Sequence, residues 1–278
     1  MSRNKPLVVV KGAGDLASGV AYRLINSGLD VIMTEIERPL VVRRTVSFAE
    51  AVYESKVTVE GIDACLARSH EEALSLLEKG IIPILVDPEA SIVKLVHPAI
   101  VVDARMAKRN IDTTTGEALL VIGLGPGFTT GFDVHAVIET CRGHRLGRVI
   151  YSGGAIPNTG LPNAVDGHTV DRLLRAPVEG LMKPLRSIGE QVQKGDMVAM
   201  VETTPVYAEL TGMIRGMLKE NVWVSQGTKI GDIDPRKGAE YNTISDKALA
   251  VGGGVLEAVF HFLSSRPCRQ QTHTRKIC

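Results

Sequence analysis

The chain has few cysteines and no pattern among them. Four in 278 residues, at positions 65, 141, 268 and 278, show no C-x-x-C or other ligand spacing. That argues against a disulfide framework and for a reducing compartment. Neither sign of charge dominates. A formal net charge of +1 gives no reason to expect nucleic acid or an anionic membrane as partner. Long apolar runs are missing too, since no stretch approaches the roughly 18 residues of a membrane span. The apolar run near the amino terminus ends at Lys11, too short for a signal peptide. These absences lead us to expect a cytoplasmic protein. What is present is ordinary for a globular chain, 44% apolar and 23% charged, with length for one large domain plus a small one.

The most informative stretch lies near the amino terminus. Leu7 to Val10 is a β-branched apolar run without polar alternation, as in a strand buried on both faces. Gly12, Gly14 and Ala17 follow with G-x-G-x-x-A spacing. Such a turn lets a pyrophosphate approach the backbone and lets the next helix lie close to the sheet. Asp15 stands inside the motif, where the helix N-terminus would offer N–H groups to an anion. Leu29 to Met33 reads as a second strand, and Glu35 lies 23 residues after Gly12, near the place of a ribose-binding acid. Gly12, Gly14, Asp15, Ala17 and Glu35 are therefore candidate nucleotide-binding residues.

Further strands are expected at 57–59, 81–86, 99–102, 119–122 and 148–151, with helices at 70–79 and 134–140 between them. Arg38, Arg43 and Arg44, behind the second strand, could meet a phosphoryl group or be solvated surface residues. Alternation of this kind predicts a Rossmann-like, doubly wound parallel sheet whose strand ends share one edge. That edge would carry Asp103 and Arg105. It would also carry a second glycine-rich turn, Gly123, Gly125 and Gly127, with His135 on the helix after it. No lysine occupies a Walker position, and no histidine or cysteine spacing supports a metal site.

From Ala155 the composition shifts to Gly, Pro and Asn, which marks a linker or functional loop. An internal repeat with an offset of 32 follows: Ala176, Gly180, Val192 and Gly195 recur as Ala208, Gly212, Val224 and Gly227. This stretch resembles the biotinyl and lipoyl carrier fold, a barrel-sandwich hybrid. The hairpin that bears the modified lysine in such carriers here reads Glu202-Thr203-Thr204-Pro205. Without that lysine a swinging arm is not expected. Ser245 and Asp246 announce a last helix that runs through Gly252, Gly253 and Gly254. Those glycines suggest either close backbone packing or a break into two helices. The expected division is a nucleotide-binding domain over 1–154, a linker over 155–175 and a barrel-sandwich domain over 176–236. A helical segment over 237–266 and a disordered tail over 267–278 complete it.

Several segments together resemble the YqeB family: GAGDLASGVAYRL, the acid-ended second strand, GLGPGFTTGFDVHAVIETCRGHRLG, PNTG and ISDKALAVGGGVLEA. The resemblance covers nearly the whole chain except its tail. It implies a part in a selenium-dependent molybdenum hydroxylase system, with a Rossmann part related to XdhC accessory proteins. It further implies a maturation factor that binds a molybdopterin dinucleotide for delivery or modification, with the hydroxylase as partner. In that setting the first glycine turn would hold the pyrophosphate and Glu35 the ribose. The second glycine turn, with Arg105 or His135, would face the metal end. The alternatives are an NAD(P)-dependent oxidoreductase, which the glycine motif alone favours, and a nucleotide-bound scaffold for the hydroxylase. A homodimer is compatible with the sequence, and no residue is assigned a catalytic role.

Overall fold

A computed structural model describes residues 5–158 and 167–265. The expected tail, Thr159 and Gly160 of the PNTG segment and much of the expected linker lie outside the described residues. The chain opens with β1 (Leu7–Lys11), α1 (Asp15–Asn26) and β2 (Asp30–Glu35). Helix α1 buries Ala17, Val20, Ala21 and Leu24, the one-sided spacing of an amphipathic helix. It ends at Ser27, where Gly28 turns the chain with φ +86°.

There follow α2 (Ala51–Glu54), β3 (Lys56–Val59), β4 (Ile62–Ala67), α3 (His70–Glu78), β5 (Ile82–Val86), α4 (Ile92–Val96) and β6 (Ile100–Asp103). Then come β7 (Leu120–Leu124), β8 (Ala136–Ile138) and β9 (Val149–Ile150). The nine strands form one sheet in the order β3-β4-β5-β2-β1-β6-β7-β8-β9. Its two faces separate by alternate residues. Val8, Val10, Val31, Met33, Ile100 and Val102 pack toward α1, and Val9, Ile32 and Val101 pack toward Ala73 of α3 and Val93 of α4.

This corrects the expected doubly wound parallel sheet. The sheet is mixed, because β3 pairs with β4 and β9 with β8 antiparallel, which places an antiparallel strand at each edge. The winding also stops after β6, since no α-helix links β6 to β7 or β7 to β8. The helix expected at 134–140 is the strand β8. Ala136, Val137 and Ile138 are all fully buried, and a short β-branched run that pairs with β7 is satisfied as sheet.

The barrel-sandwich domain is corrected as well. Its residues form two small antiparallel sheets joined by no strand pairing. One holds β10 (Leu173–Arg175), β12 (Gln191–Val192), β15 (Gly212–Met217) and β17 (Lys229–Asp234), in the order β10-β17-β15-β12. The other holds β11 (Gly180–Pro184), β13 (Met197–Val201), β14 (Thr204–Tyr207) and β16 (Trp223–Val224), in the order β14-β13-β11-β16. Strand β10 begins inside the expected linker, and its counterpart 32 residues further on is β14. The two repeats exchange partners, β11 with β16 and β12 with β15. The glycine turns do the same: Gly195 N–H donates to the Ala208 carbonyl, and Gly227 N–H to that of Ala176, both at 2.8 Å. Repeating alanines and glycines 32 residues apart thus record two halves that hold each other.

The chain then returns to the large sheet through α5 (Asp246–Ser264), whose Ser245 hydroxyl accepts from Ala248 N–H at 3.1 Å. The helix is unbroken through its three glycines. By length and apolarity it is the one helix among the described residues that could cross a membrane. Here Val251, Val255, Ala258 and Val259 are buried in the core that also contains α1.

Candidate functional site

A cavity of about 720 Å³ opens at the carboxyl ends of β1, β2 and β6, and the small β module forms its other wall. This is within the size range of small-molecule sites, about 300–1,000 Å³. Gly12, Gly14, Asp15, Leu16, Ala17 and Glu35 line it on the sheet side. Arg172, Leu173, Arg215, Lys229 and Asp232 line it on the module side.

The two glycines of the turn differ in kind. Gly12 has φ +93°, and a Cβ there would stand 3.2 Å from the Ala104 carbonyl and the Arg105 backbone, so the fold itself requires glycine. Gly14 has an ordinary φ of −64°, and a Cβ there would meet only Val41, at 3.8 Å. Nothing within the protein demands glycine at 14. No side chain caps α1, whose first turn lines the cavity beside it.

Glu35 ends β2. Its carboxylate accepts Ala13 N–H at 2.9 Å and Ile36 N–H at 2.8 Å. Burial pushes its pKa up and outweighs these two bonds, which pull it down. Each oxygen keeps a lone pair for a further donor. Asp15 sits in the first turn of α1, and its charge acts on both Arg43 and Lys247. It therefore already answers part of the positive helix end.

Asp103 and Arg105 form the floor. Asp103 is buried beneath the cavity and takes Arg105 Nη2 at 2.6 Å and Thr113 Oγ1 at 2.7 Å. Arg105 reaches on to Asp112 at 2.6 Å and lines the cavity. Buried Lys11 joins the same network through Glu117 and Thr113, at 2.8 and 2.9 Å. This network clamps the segment from 104 to 117 onto the sheet edge. Ala104, Met106 and Ile111 of that segment, with Ile36, Leu40 and Pro88 opposite, give the cavity an apolar portion.

The second glycine turn and His135 lie elsewhere. Gly123, Gly125 and Gly127 do not line the cavity. A Cβ on each would strike the Phe128 ring, Thr140 Oγ1 or the Arg109 backbone, at 2.5 Å in every case, so these glycines serve packing. His135 precedes β8 at the opposite edge of the sheet, where its Nδ1 accepts Val121 N–H at 2.9 Å. It lines a second cleft of about 320 Å³ with Tyr151 and His261. Asp87 caps the Ile92 N–H of α4 at 2.9 Å, a structural use. Of the three arginines behind β2, Arg38 is exposed, Arg44 pairs with Glu50 at 2.6 Å and only Arg43 faces the cavity. Among the described residues no group of His, Cys, Asp or Glu is placed to hold a metal ion.

Sequence reading missed most of the cations. Arg142, Arg172, Arg215, Lys229 and Lys247 reach the cavity with Arg43 and Arg105, against the carboxylates of Asp15, Glu35, Asp87 and Asp232. Arg142 is held by Asp246 at 2.7 Å. Lys247 has no ion-pair or hydrogen-bond partner among the described residues, and burial pushes its pKa down. Arg43 is 7% exposed, and its guanidinium makes one hydrogen bond among the described residues, Nη2 to the Thr243 carbonyl at 3.3 Å. Burial and the nearby Arg215 lower its pKa. One signal was available. Asp232 and Asp234, two residues apart in one strand and both buried, require cations nearby.

No family model matches the chain. Among curated proteins it is similar to "Uncharacterized protein YqeB" of Escherichia coli (strain K12), with 52% identity over 254 residues. That alignment covers 91% of this chain and 47% of the relative, so the chain spans about half the length of the curated protein it matches. Solved structures that align include an aspartoacylase family protein from Mesorhizobium loti, at 11% identity over 84% of this chain and 86% of that one, with TM-score 0.27. Another is a succinylglutamate desuccinylase from Silicibacter sp. TM1040, at 13% identity over 82% and 84%, with TM-score 0.24. Likenesses this slight carry no argument about activity.

These findings overturn the reading drawn from family resemblance. The curated relative's name states no role in a molybdenum hydroxylase system. The two solved structures named above are an aspartoacylase family protein and a succinylglutamate desuccinylase, and neither name mentions XdhC. The maturation role, with its oxidoreductase and scaffold alternatives, is therefore set aside.

Proposed function

We propose that the chain binds a phosphate-bearing, nucleotide-type small molecule in the 720 Å³ cavity. The observation that carries this reading is Gly14. It opens onto the cavity with no conformational or packing need for glycine, at an uncapped helix N-terminus where anions are favoured. Glu35 offers acceptors for a ribose diol at the end of the neighbouring strand. The apolar portion around Ile36, Leu40, Pro88 and Met106 suits a base. Arg43 is buried and Lys247 half-buried, both without carboxylate partners among the described residues, and such cations gain from a bound anion. The free thiols of Cys65 and Cys141 suit a reducing, cytoplasmic setting.

Titration calorimetry with ADP, CDP and NAD tests the reading. At least one is expected to bind. Gly14→Ala is expected to weaken that binding tenfold or more while leaving the unfolding midpoint unchanged or slightly raised, because the added methyl meets space inside the protein. Loss of stability without loss of affinity would make Gly14 structural and the reading wrong. Asp15→Asn removes the carboxylate that competes for the helix end. It is expected to tighten the same ligand several-fold, and more at low ionic strength than at high.

A further inference from the structure

The module side of the cavity holds more positive charge than it neutralises. Asp232 is paired with Arg172 at 2.5 Å and with Lys229 at 3.3 Å. Asp234 is paired with Arg236 at 2.7 Å and with Arg215 at 3.6 Å. Arg43 adds a fifth cation to these two carboxylates and pairs with neither. Four buried side-chain polar atoms among the described residues lack a hydrogen-bond partner. Three of them are the Nε atoms of Arg43, Arg172 and Arg215. All three residues line the same cavity.

Packing does not explain this arrangement. Buried guanidinium groups are tolerated when their donors are used and their charge is matched, and here both conditions fail at one place. Arg43 and Arg215 also repel each other, which is why Arg215 acts to lower the Arg43 pKa. Arg43 stands between the two walls. It feels Asp15 of α1 on one side and Arg215, Asp232 and Asp234 on the other.

We infer that Arg43, Arg172 and Arg215 form a second anion subsite, so the ligand carries a further phosphoryl group beyond the one at Gly14. This inference rests on the nucleotide reading for the first group but not for the second. The ligand class it names is a nucleotide with a distal phosphate or diphosphate, spanning the sheet edge and the β module. An oxyanion of that kind accepts from several guanidinium groups at once, whereas a neutral end group would leave the excess charge unmatched.

The test uses inorganic pyrophosphate as probe, with binding measured by calorimetry at fixed ionic strength. The unaltered protein is expected to bind it. Arg43→Gln and Arg215→Gln are each expected to weaken it at least tenfold, and Gly14→Ala at most twofold. Arg43→Gln leaves no carboxylate unpaired, so it decides the matter if Arg215→Gln fails to fold. Pyrophosphate affinity unchanged in Arg43→Gln, or no pyrophosphate binding to the unaltered protein, would overturn the subsite. Arginine-dependent pyrophosphate binding with no nucleotide bound would uphold the subsite and defeat the nucleotide reading instead.

Discussion

Gly252→Val is expected to destabilise the protein by about 3 kcal/mol or more, whereas Gly253→Ala beside it is expected to stabilise it by about 1 kcal/mol. The two glycines share a helix and differ only in what they face. A Cβ on Gly252 would lie 2.5 Å from the Gly19 carbonyl oxygen and 2.9 Å from Arg23 Cγ. The Gly19 carbonyl carbon, at 3.0 Å, and its oxygen are backbone atoms of α1 and cannot rotate away. Gly19 answers in kind, since a Cβ there would lie 2.7 Å from the Ala248 backbone. The helices therefore meet main chain to main chain, and valine would force them apart along a buried contact. A Cβ on Gly253 would meet nothing within 4 Å. Alanine there only removes the conformational freedom that glycine has in the unfolded chain. Midpoints of denaturant unfolding for the two variants should move in opposite directions. A shared direction would mean that the α1–α5 contact is looser than described.

Asp103→Ala is expected to cost about 3–5 kcal/mol, the range for removing one partner of a buried ion pair. Its carboxylate receives Arg105 N–H at 3.1 Å, Arg105 Nη2 at 2.6 Å and Thr113 Oγ1 at 2.7 Å. Without it, Arg105 keeps only the more exposed Asp112 as a counter-charge. The segment from 104 to 117 would then lose its anchor and the cavity its floor. Ligand affinity should therefore fall together with stability, unlike the separated effects expected at Gly14. Acid should loosen the same clamp from its outer side. Hydrogen bonding to Arg105 holds the Asp112 pKa below the usual carboxylate range. Its contribution is thus complete above about pH 4, near the unfolded value, and is lost as pH falls through the lower folded value. A stability–pH profile that slopes less steeply below pH 4 in Asp112→Asn than in the parent protein is the expected sign.

The sheet-edge half of the candidate site was legible because its determinants are local. Strand, glycine turn, helix and Glu35 follow one another within about thirty residues, and Gly12, Gly14, Asp15, Ala17 and Glu35 all reach the cavity. The second glycine turn misled because spacing alone cannot distinguish glycine that admits a ligand from glycine that admits Phe128 or Thr140. His135 misled for a related reason. A segment that becomes a buried strand rather than a helix puts its first residue at the other end of the sheet. The 32-residue repeat showed where the module lies and not how its sheets divide, since each sheet takes two strands from each half. Arg172, Arg215, Lys229 and Lys247 come from segments more than a hundred residues from the glycine turn. Only the folded chain brings them to one place.

The packing of α5 against α1 also has a consequence for how the protein is made. Residues 15–26 leave the ribosome early, yet the helix that covers their outer face begins only at Asp246. During synthesis the cavity wall therefore exists as sequence long before it exists as a supported surface. The module, with Arg172 and Arg215, is complete by Asp234, before that support arrives. Ligand affinity should thus emerge late and abruptly on a growing chain. Nascent chains stalled before residue 246 should leave α1 open to chaperones and proteases.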